Sequence, residues 1–271
     1  MDRYAVIGHP VSHSLSPRIH ALFAIQERQQ LEYGTIEAPL AGFAAAARAF
    51  FEGGGRGANV TLPFKVDALE FAARASERAT LAGAANFLAM REGRVEADNT
   101  DGAGLVTDLA RNLGVEIAGA RILLLGAGGA ARGVIAPLLA ARPRLLLVAN
   151  RTAGRARELA SRFTPLGAIE AAGLEAVPRD RFDLVLNATS TSVHGEELAI
   201  ADEVLAHAGL AYDMAYGPAA ARFVSRAQAA GTRACDGLGM LVEQAAESFL
   251  LWRGVRPDTK AVLAGLRSLP R

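Results

Sequence analysis

The sequence predicts an α/β protein organised around a nucleotide-binding strand–turn–helix unit, and three observations carry that prediction. Strand-like and helix-like stretches alternate along the 271 residues. Several of the strand-like stretches are continuous apolar runs, as expected where parallel strands are buried on both faces. One such run, Ile122 to Leu125, ends at Gly126-Ala127-Gly128-Gly129-Ala130-Ala131-Arg132 and passes into helical apolar spacing from Val134 to Leu139.

A glycine turn between a buried strand and a helix lets backbone N–H groups approach a pyrophosphate at the positive end of the helix. Gly126 then makes the tight turn, Gly128 the close approach, and Ala131 the close packing of helix on strand. The next strand, Leu145 to Ala149, ends where a ribose-reading residue is expected. An NAD site places a carboxylate there, but this chain has Asn150-Arg151-Thr152, with Arg155 one helical turn on. Two guanidinium groups and no carboxylate suit a 2′-phosphate, so the expected cofactor is NADP. The competing reading makes Arg151 and Arg155 solvated residues of an arginine-rich chain.

Composition narrows the function classes. A formal charge of +1 gives no electrostatic footprint for nucleic acid or an anionic membrane. No apolar run reaches membrane-spanning length, and the N-terminus has no signal-peptide core. The single cysteine, Cys235, excludes an internal disulfide framework, and a cytoplasmic location is expected. His9, His13, His20, His194 and His207 show no ligand spacing, so no metal site is expected. Of 29 basic residues only Lys65 and Lys260 are lysines. Arginine does not surrender its proton at accessible pH, which makes Lys65 a candidate for proton transfer.

In chain order, Tyr4 to Gly8 reads as a strand and runs into a loop rich in hydroxyls, His9 to Pro17. Ser16 before Pro17 predicts an N-cap for a helix from about Arg18 to Gln29. Ser14 and Ser16 can there offer hydroxyls to a small carboxylate. A strand near 32–37 and a helix near 40–51 continue the alternation. In Asn59-Val60-Thr61-Leu62 the two polar side chains share one strand face. Pro63 then ends that strand and puts Lys65 in the first turn of a helix. A cation is electrostatically unfavourable there, which also points to function. Asn86 precedes a hairpin turning at Glu92-Gly93. Asp101 opens a helix to about Leu113, as a cap or as a functional carboxylate. The runs 168–171, 182–187, 210–214 and 232–235 are further strands, with helices near 153–163 and 219–230 among them. The run 182–187 opens into Ala188-Thr189-Ser190, a polar loop at a strand's C-terminal end, where open α/β sheets bind ligands. Apolar helices over 237–252 and 259–266 close the chain.

Ser14-Leu-Ser16-Pro17, Asn59-Val-Thr61-x-Pro63-x-Lys65, Asn99-Thr100-Asp101-Gly102, the Gly126–Arg132 turn, Asn150-Arg151-Thr152, Asn187-Ala-Thr189-Ser190 and Gly237-x-x-Met240-Leu-x-x-Gln244 occur in that order. As an ordered set they resemble the shikimate dehydrogenase family over essentially the whole chain. The resemblance implies reversible NADPH-dependent reduction of 3-dehydroshikimate to shikimate. It implies an N-terminal α/β substrate domain and a Rossmann-type NADP domain separated by a cleft, divided as residues 1–101, 102–237, and 238–271 returning to the substrate domain. It assigns Lys65 and Asp101 as the catalytic pair and Ser14 and Ser16 to the substrate carboxylate. Asn59, Thr61, Asn86, Asp101, Tyr216 and Gln244 fall around the ring hydroxyls. Gly126, Ala127, Gly128, Gly129, Ala130, Asn150, Arg151, Thr152, Arg155, Ala188, Thr189, Met214, Gly237 and Met240 fall to the cofactor. A homodimer is left open. Phe87 departs from the family's usual Thr and is expected to reshape the hydroxyl pocket. Two alternatives stand beside this reading: a broader quinate/shikimate dehydrogenase, and an NADP-binding protein of the same fold without turnover.

Overall fold

The computed structural model describes residues 1–189 and 198–268 and divides into two compact units. Among the described residues the first holds 1–104 and 241–268, and the second spans Leu105–Met240. Among the described residues each unit has one six-stranded sheet, and no helix is long and apolar enough to cross a membrane.

In the first unit the strands are β1 (Asp2–Gly8), β2 (Leu31–Glu37), β3 (Gly55–Val60), β4 (Arg74–Ala75), β5 (Phe87–Arg91) and β6 (Arg94–Asp98), in the order β2-β1-β3-β5-β6-β4. β1 runs parallel to both β2 and β3, while β3/β5 and β5/β6 are antiparallel, so the sheet is mixed. The β5–β6 turn falls on Glu92-Gly93, with φ of 50° and 74°, the left-handed pair that a tight hairpin requires. Alternation sorts the faces. Ala5, Ile7, Ala58, Val60 and Leu88 join Phe43, Phe51 and Phe64 in one core. On the opposite face Trp252 lies against β3 at Gly57, where a Cβ would come within 2.2 Å of the indole nitrogen. The returning helix Leu238–Arg253 thus docks on the face that carries Asn59.

The second unit is a parallel sheet of β7 (Arg121–Leu125), β8 (Leu145–Asn150), β9 (Ile169–Gly173), β10 (Leu184–Asn187), β11 (Leu210–Asp213) and β12 (Ala234–Cys235), ordered β12-β11-β10-β7-β8-β9. The order reverses direction beside β7, the switch point where such folds bind ligands. Successive residues of β7 feed different cores, with Ile122 and Leu124 on one face and Leu123 and Leu125 on the other. That two-sided burial explains the unbroken apolar runs in the sequence.

Some boundaries differ from expectation. The helix from Asp101 ends at Thr107 and continues as a π-helical turn, Asp108–Asn112. Asp108 is buried there and accepts from the Tyr212 hydroxyl at 2.7 Å. Ser16 is the first residue of the helix Ser16–Gln26, not its N-cap; its own N–H donates to Ser14 Oγ at 3.2 Å. The short β4 and the helices Glu77–Ala82 and Asp202–Ala206 had no counterpart in the sequence reading. Ser190 and His194 lie outside the described residues.

Candidate active site

In the first unit Lys65 opens the helix Lys65–Phe71, and Asp101 opens the helix Asp101–Thr107. Two helix starts therefore present one cation and one carboxylate. Lys65 Nζ donates to Asp101 Oδ2 at 2.5 Å, and the side chains are 14% and 6% exposed. The other carboxylate oxygen, Oδ1, accepts from Asn86 Nδ2 at 2.9 Å. Asp101 thus has a donor on each oxygen, and Lys65 keeps two N–H bonds for another acceptor. The backbone reinforces the pairing: Ala85 N–H donates to the Lys65 carbonyl at 2.7 Å, tying this helix start to the segment carrying Asn86. The Asp101 N–H is taken by Asn99 Oδ1 at 3.1 Å. Asn99 serves the helix start, which frees the Asp101 carboxylate for Lys65.

The amides behind the pair are directed as well. Asn86 Oδ1 accepts from Thr100 N–H at 2.7 Å, which turns its NH2 toward Asp101 and Thr100 Oγ1. Gln244 Oε1 accepts from Asn86 at 3.1 Å and from Thr100 at 3.3 Å, the second being the longest contact of the group. Asn59 donates to Ser248 Oγ at 2.9 Å and to the Asn86 carbonyl at 3.2 Å. Tyr33 closes the line by donating to Asn59 Oδ1 at 2.8 Å. Burial raises the Tyr33 phenol well above its ordinary value, and the neighbouring Ser16 side chain partly offsets this.

Asp98 braces the motif from below. Arg78 holds it in a two-pronged pair, Nε to Oδ1 at 2.6 Å and Nη2 to Oδ2 at 2.9 Å, and Asn99 N–H donates to Oδ1 at 2.7 Å. Burial pushes the Asp98 carboxyl up, but the bonds from Arg78, Ser76 and Asn99 outweigh it and hold the group below its usual range. Arg78 also reaches Glu247 on the returning helix at 3.2 Å.

Of the sequence-predicted residues, Asn59, Lys65, Asn86, Asp101 and Gln244 share this one network. Ser14 and Ser16 sit together at their helix start, with Ser16 beside Tyr33. Thr61 lies just beyond β3 and outside the network; its methyl packs where a Cβ on Gly8 would come within 2.4 Å. Tyr216 belongs to the second unit, directly after β11, and is partly buried. Phe87 pairs across the sheet with Asn59 but turns to aromatic packing, its ring stacked on Trp252 at 5.0 Å. Tyr33, Thr100 and Ser248 escaped the sequence reading. Thr100 lay inside a quoted motif, and Ser248 stands four residues after Gln244 on the same helix face.

In the second unit Gly126 has φ of +111° and a Cβ there would meet the Ala188 carbonyl at 3.0 Å, so the turn after β7 needs glycine. Above Gly128 a Cβ would meet nothing within 4 Å. The helix Gly129–Ala140 begins there with no side-chain cap and no acidic residue in its first turn. Free N–H groups and open space at a helix start suit a pyrophosphate. After β8, Asn150 Nδ2 donates to the Thr152 carbonyl at 3.1 Å and shapes the loop. Arg151 and Arg155 are exposed and form no ion pair among the described residues, which suits a 2′-phosphate. The ends of β10 and β11 are locked by Asn187 Nδ2 donating to Asp213 Oδ2 at 2.8 Å, while Thr189 caps Asn187 Oδ1 at 2.7 Å. Gly237 packs on Met214, whose carbonyl lies 2.4 Å from any added Cβ. Met240 is fixed through its N–H on Tyr212 Oη at 3.3 Å. The cradle therefore fits the dinucleotide that the sequence led us to expect.

Comparison with known proteins agrees with this geometry. Residues 6–88 match the shikimate dehydrogenase substrate binding domain, residues 108–206 the shikimate / quinate 5-dehydrogenase family, and residues 237–267 the shikimate 5′-dehydrogenase C-terminal domain. The shikimate dehydrogenase (NADP(+)) of Janthinobacterium sp. (strain Marseille) is 53% identical over 266 residues, 98% of this chain and 97% of that one. An Ael1 enzyme from Pseudomonas putida has a TM-score of 0.91 at 48% identity, covering 100% of this chain and 99% of that one. Shikimate 5-dehydrogenase from Thermus thermophilus, solved in complex with NADP(H) and shikimate, has a TM-score of 0.86 at 34% identity, covering 98% of this chain and 99% of that one.

Proposed function

The chain belongs to the shikimate dehydrogenase family, and as an NADP-dependent oxidoreductase of that family it interconverts 3-dehydroshikimate and shikimate; from that premise we propose that Lys65 and Asp101 move the proton. The observation that carries the proposal is the 2.5 Å contact of Lys65 Nζ with an Asp101 carboxylate whose other oxygen is held by Asn86. NADPH, when bound, supplies the hydride to the ring carbonyl carbon. Lys65 gives a proton to the carbonyl oxygen as negative charge develops there, and takes one from the hydroxyl in the reverse direction. Asp101 orients the ammonium and compensates its charge through the cycle.

The same reading gives Ser14 and Ser16 the substrate carboxylate, and Asn59, Thr61, Asn86, Tyr216 and Gln244 the ring hydroxyls. Gln244 suits this role because its 3.3 Å contact with Thr100, the longest of the network, is the one a ligand hydroxyl replaces at least cost. Gly126 to Ala130, Asn150, Arg151, Thr152, Arg155, Ala188, Thr189, Met214, Gly237 and Met240 hold the cofactor. The reading includes a cytoplasmic location, supported by the lone Cys235.

Lys65→Arg tests the proton role. Arginine preserves the charge but not the transferable proton. We expect kcat to fall by about 10²–10⁴-fold, while NADP affinity, measured by fluorescence titration, stays within twofold. Near-normal kcat in Lys65→Arg would reduce Lys65 to an electrostatic anchor.

A further inference from the structure

We propose that Tyr33 and Ser248 are positioning residues of this reaction, which act on substrate by fixing the direction of the Asn59 amide. The inference rests on the reading above and assigns a role to two residues that carry none in it. Counting hydrogens makes the case. Asn59 has two N–H bonds and one carbonyl oxygen. Its N–H bonds go to Ser248 Oγ at 2.9 Å and the Asn86 carbonyl at 3.2 Å, and its oxygen accepts from the Tyr33 hydroxyl at 2.8 Å. A flipped amide would point oxygen at the Asn86 carbonyl and NH2 at a phenol whose only proton already points inward. One orientation alone is satisfied.

Ser248 is equally committed. It is fully buried, and its single proton goes to the Gln244 carbonyl at 3.0 Å. It must therefore accept from Asn59, and the Thr100 hydroxyl lies beside it at 3.2 Å. The line runs on through Asn86 to Asp101 and Lys65. Tyr33 is itself held in place, its ring stacked on His20 at 4.2 Å with 5° between planes. A hydroxyl on a clamped ring at one end and a buried serine at the other leave Asn59 no freedom to turn. Removing either loosens an amide in the substrate site without touching Lys65, Asp101 or the nucleotide cradle.

Tyr33→Phe keeps the stacked ring and deletes only the hydroxyl, and Ser248→Ala deletes the other anchor. Each is made alone and in an Asn59→Ala background, and steady-state shikimate oxidation with NADP is measured for all. One neutral hydrogen bond corresponds to roughly a three- to tenfold rise in KM for shikimate. We expect that rise in both single variants, with KM for NADP unchanged and kcat within about threefold. Because both residues act through Asn59, neither should raise KM further once Asn59 is alanine. Two results would overturn the proposal: an unchanged shikimate KM in Tyr33→Phe, or effects that add in full to that of Asn59→Ala. A drop in kcat together with a rise in both KM values, tracking a lowered Tm, would make the residues merely structural and also overturn it. Failure of the wild-type protein to oxidise shikimate would instead overturn the functional reading.

Discussion

His20 offers a quantitative test of how the first unit is packed. Its imidazole is 1% exposed and lies among Phe23, Tyr33, Phe249 and Trp252, with neither ring nitrogen hydrogen-bonded. Burial drives its pKa down to about 3, and the nearby Asn59 offsets this only in part. In the unfolded chain the ring titrates near 6.5. Between those values the unfolded state binds the extra proton, so stability is fully present above about pH 6.5 and is lost as pH falls toward 3. The slope is roughly 1.4 kcal/mol per pH unit for one proton. His20→Phe keeps an aromatic ring in the stack and removes the titration. Urea denaturation followed by circular dichroism at pH 7.5, 6.5, 5.5 and 4.5 should show wild type losing about 2 kcal/mol relative to the variant between pH 6.5 and 4.5. Above pH 7 the difference between them should be constant. Carboxylates such as Asp98 titrate in both proteins and cancel in the comparison. Parallel stability curves down to pH 4.5 would mean that His20 charges freely in the folded protein, and the packing argument would fail.

Two further outcomes are expected. Arg151→Ala and Arg155→Ala should each raise the dissociation constant for NADP by about one to two decades while leaving NAD within twofold; equal losses for both cofactors would show that neither guanidinium reads the 2′-phosphate. Phe87→Thr should cost about 3 kcal/mol of stability by emptying its stack on Trp252 and leave the ratio of shikimate to quinate turnover unchanged; a changed ratio would return Phe87 to the substrate pocket.

What the sequence made legible is what local patterning controls. β7, its glycine turn and the helix after it could be read because apolar periodicity changes from continuous to helical within a dozen residues. Lys65 stood out by composition, the resemblance named Asp101 as its partner, and the structure brings the two into contact at 2.5 Å. The hairpin at Glu92-Gly93 followed from the turn chemistry of adjacent residues. Tyr33 and Ser248 left no such trace. The bond between Asn59 and Ser248 joins residues 189 apart in the chain, so it depends on how the last helix docks. β4 has two residues and the helix Asp202–Ala206 five, too few to establish a period. Ser16 shows the limit of capping rules. A serine before proline is a good cap by type, but here the Ser14 hydroxyl takes the Ser16 N–H and the helix starts one residue early. Phe87 pairs in register with Asn59 and shares its sheet face, but its ring is taken up by the stack on Trp252, a residue of the distant last helix that no local pattern points to.

The returning helix Leu238–Arg253 explains why the site needs the end of the chain. Gln244, Ser248 and Trp252 recur every four residues and form one stripe. Along it, Gln244 meets Asn86 and Thr100, Ser248 meets Asn59, and Trp252 meets Phe87 and the Leu88 carbonyl. The neighbouring stripe is ionic, with Glu247 held by Arg78 and Arg256, and Glu243 by Arg256 and Thr259. Apolar packing alone would tolerate a small rotation of this helix, because hydrophobic contact has no direction. The polar stripe does not, since a turn that moves Ser248 from Asn59 strands buried donors at about 1–3 kcal/mol each. Directional bonds thus set the helix's rotation, while apolar residues such as Val242, Ala245, Ala246 and Phe249 are buried along it. The Asn59, Asn86 and Gln244 amides are aligned by the same bonds that seat the helix. The geometry of the candidate site and the folding of the first unit are therefore one problem, solved by one set of side chains.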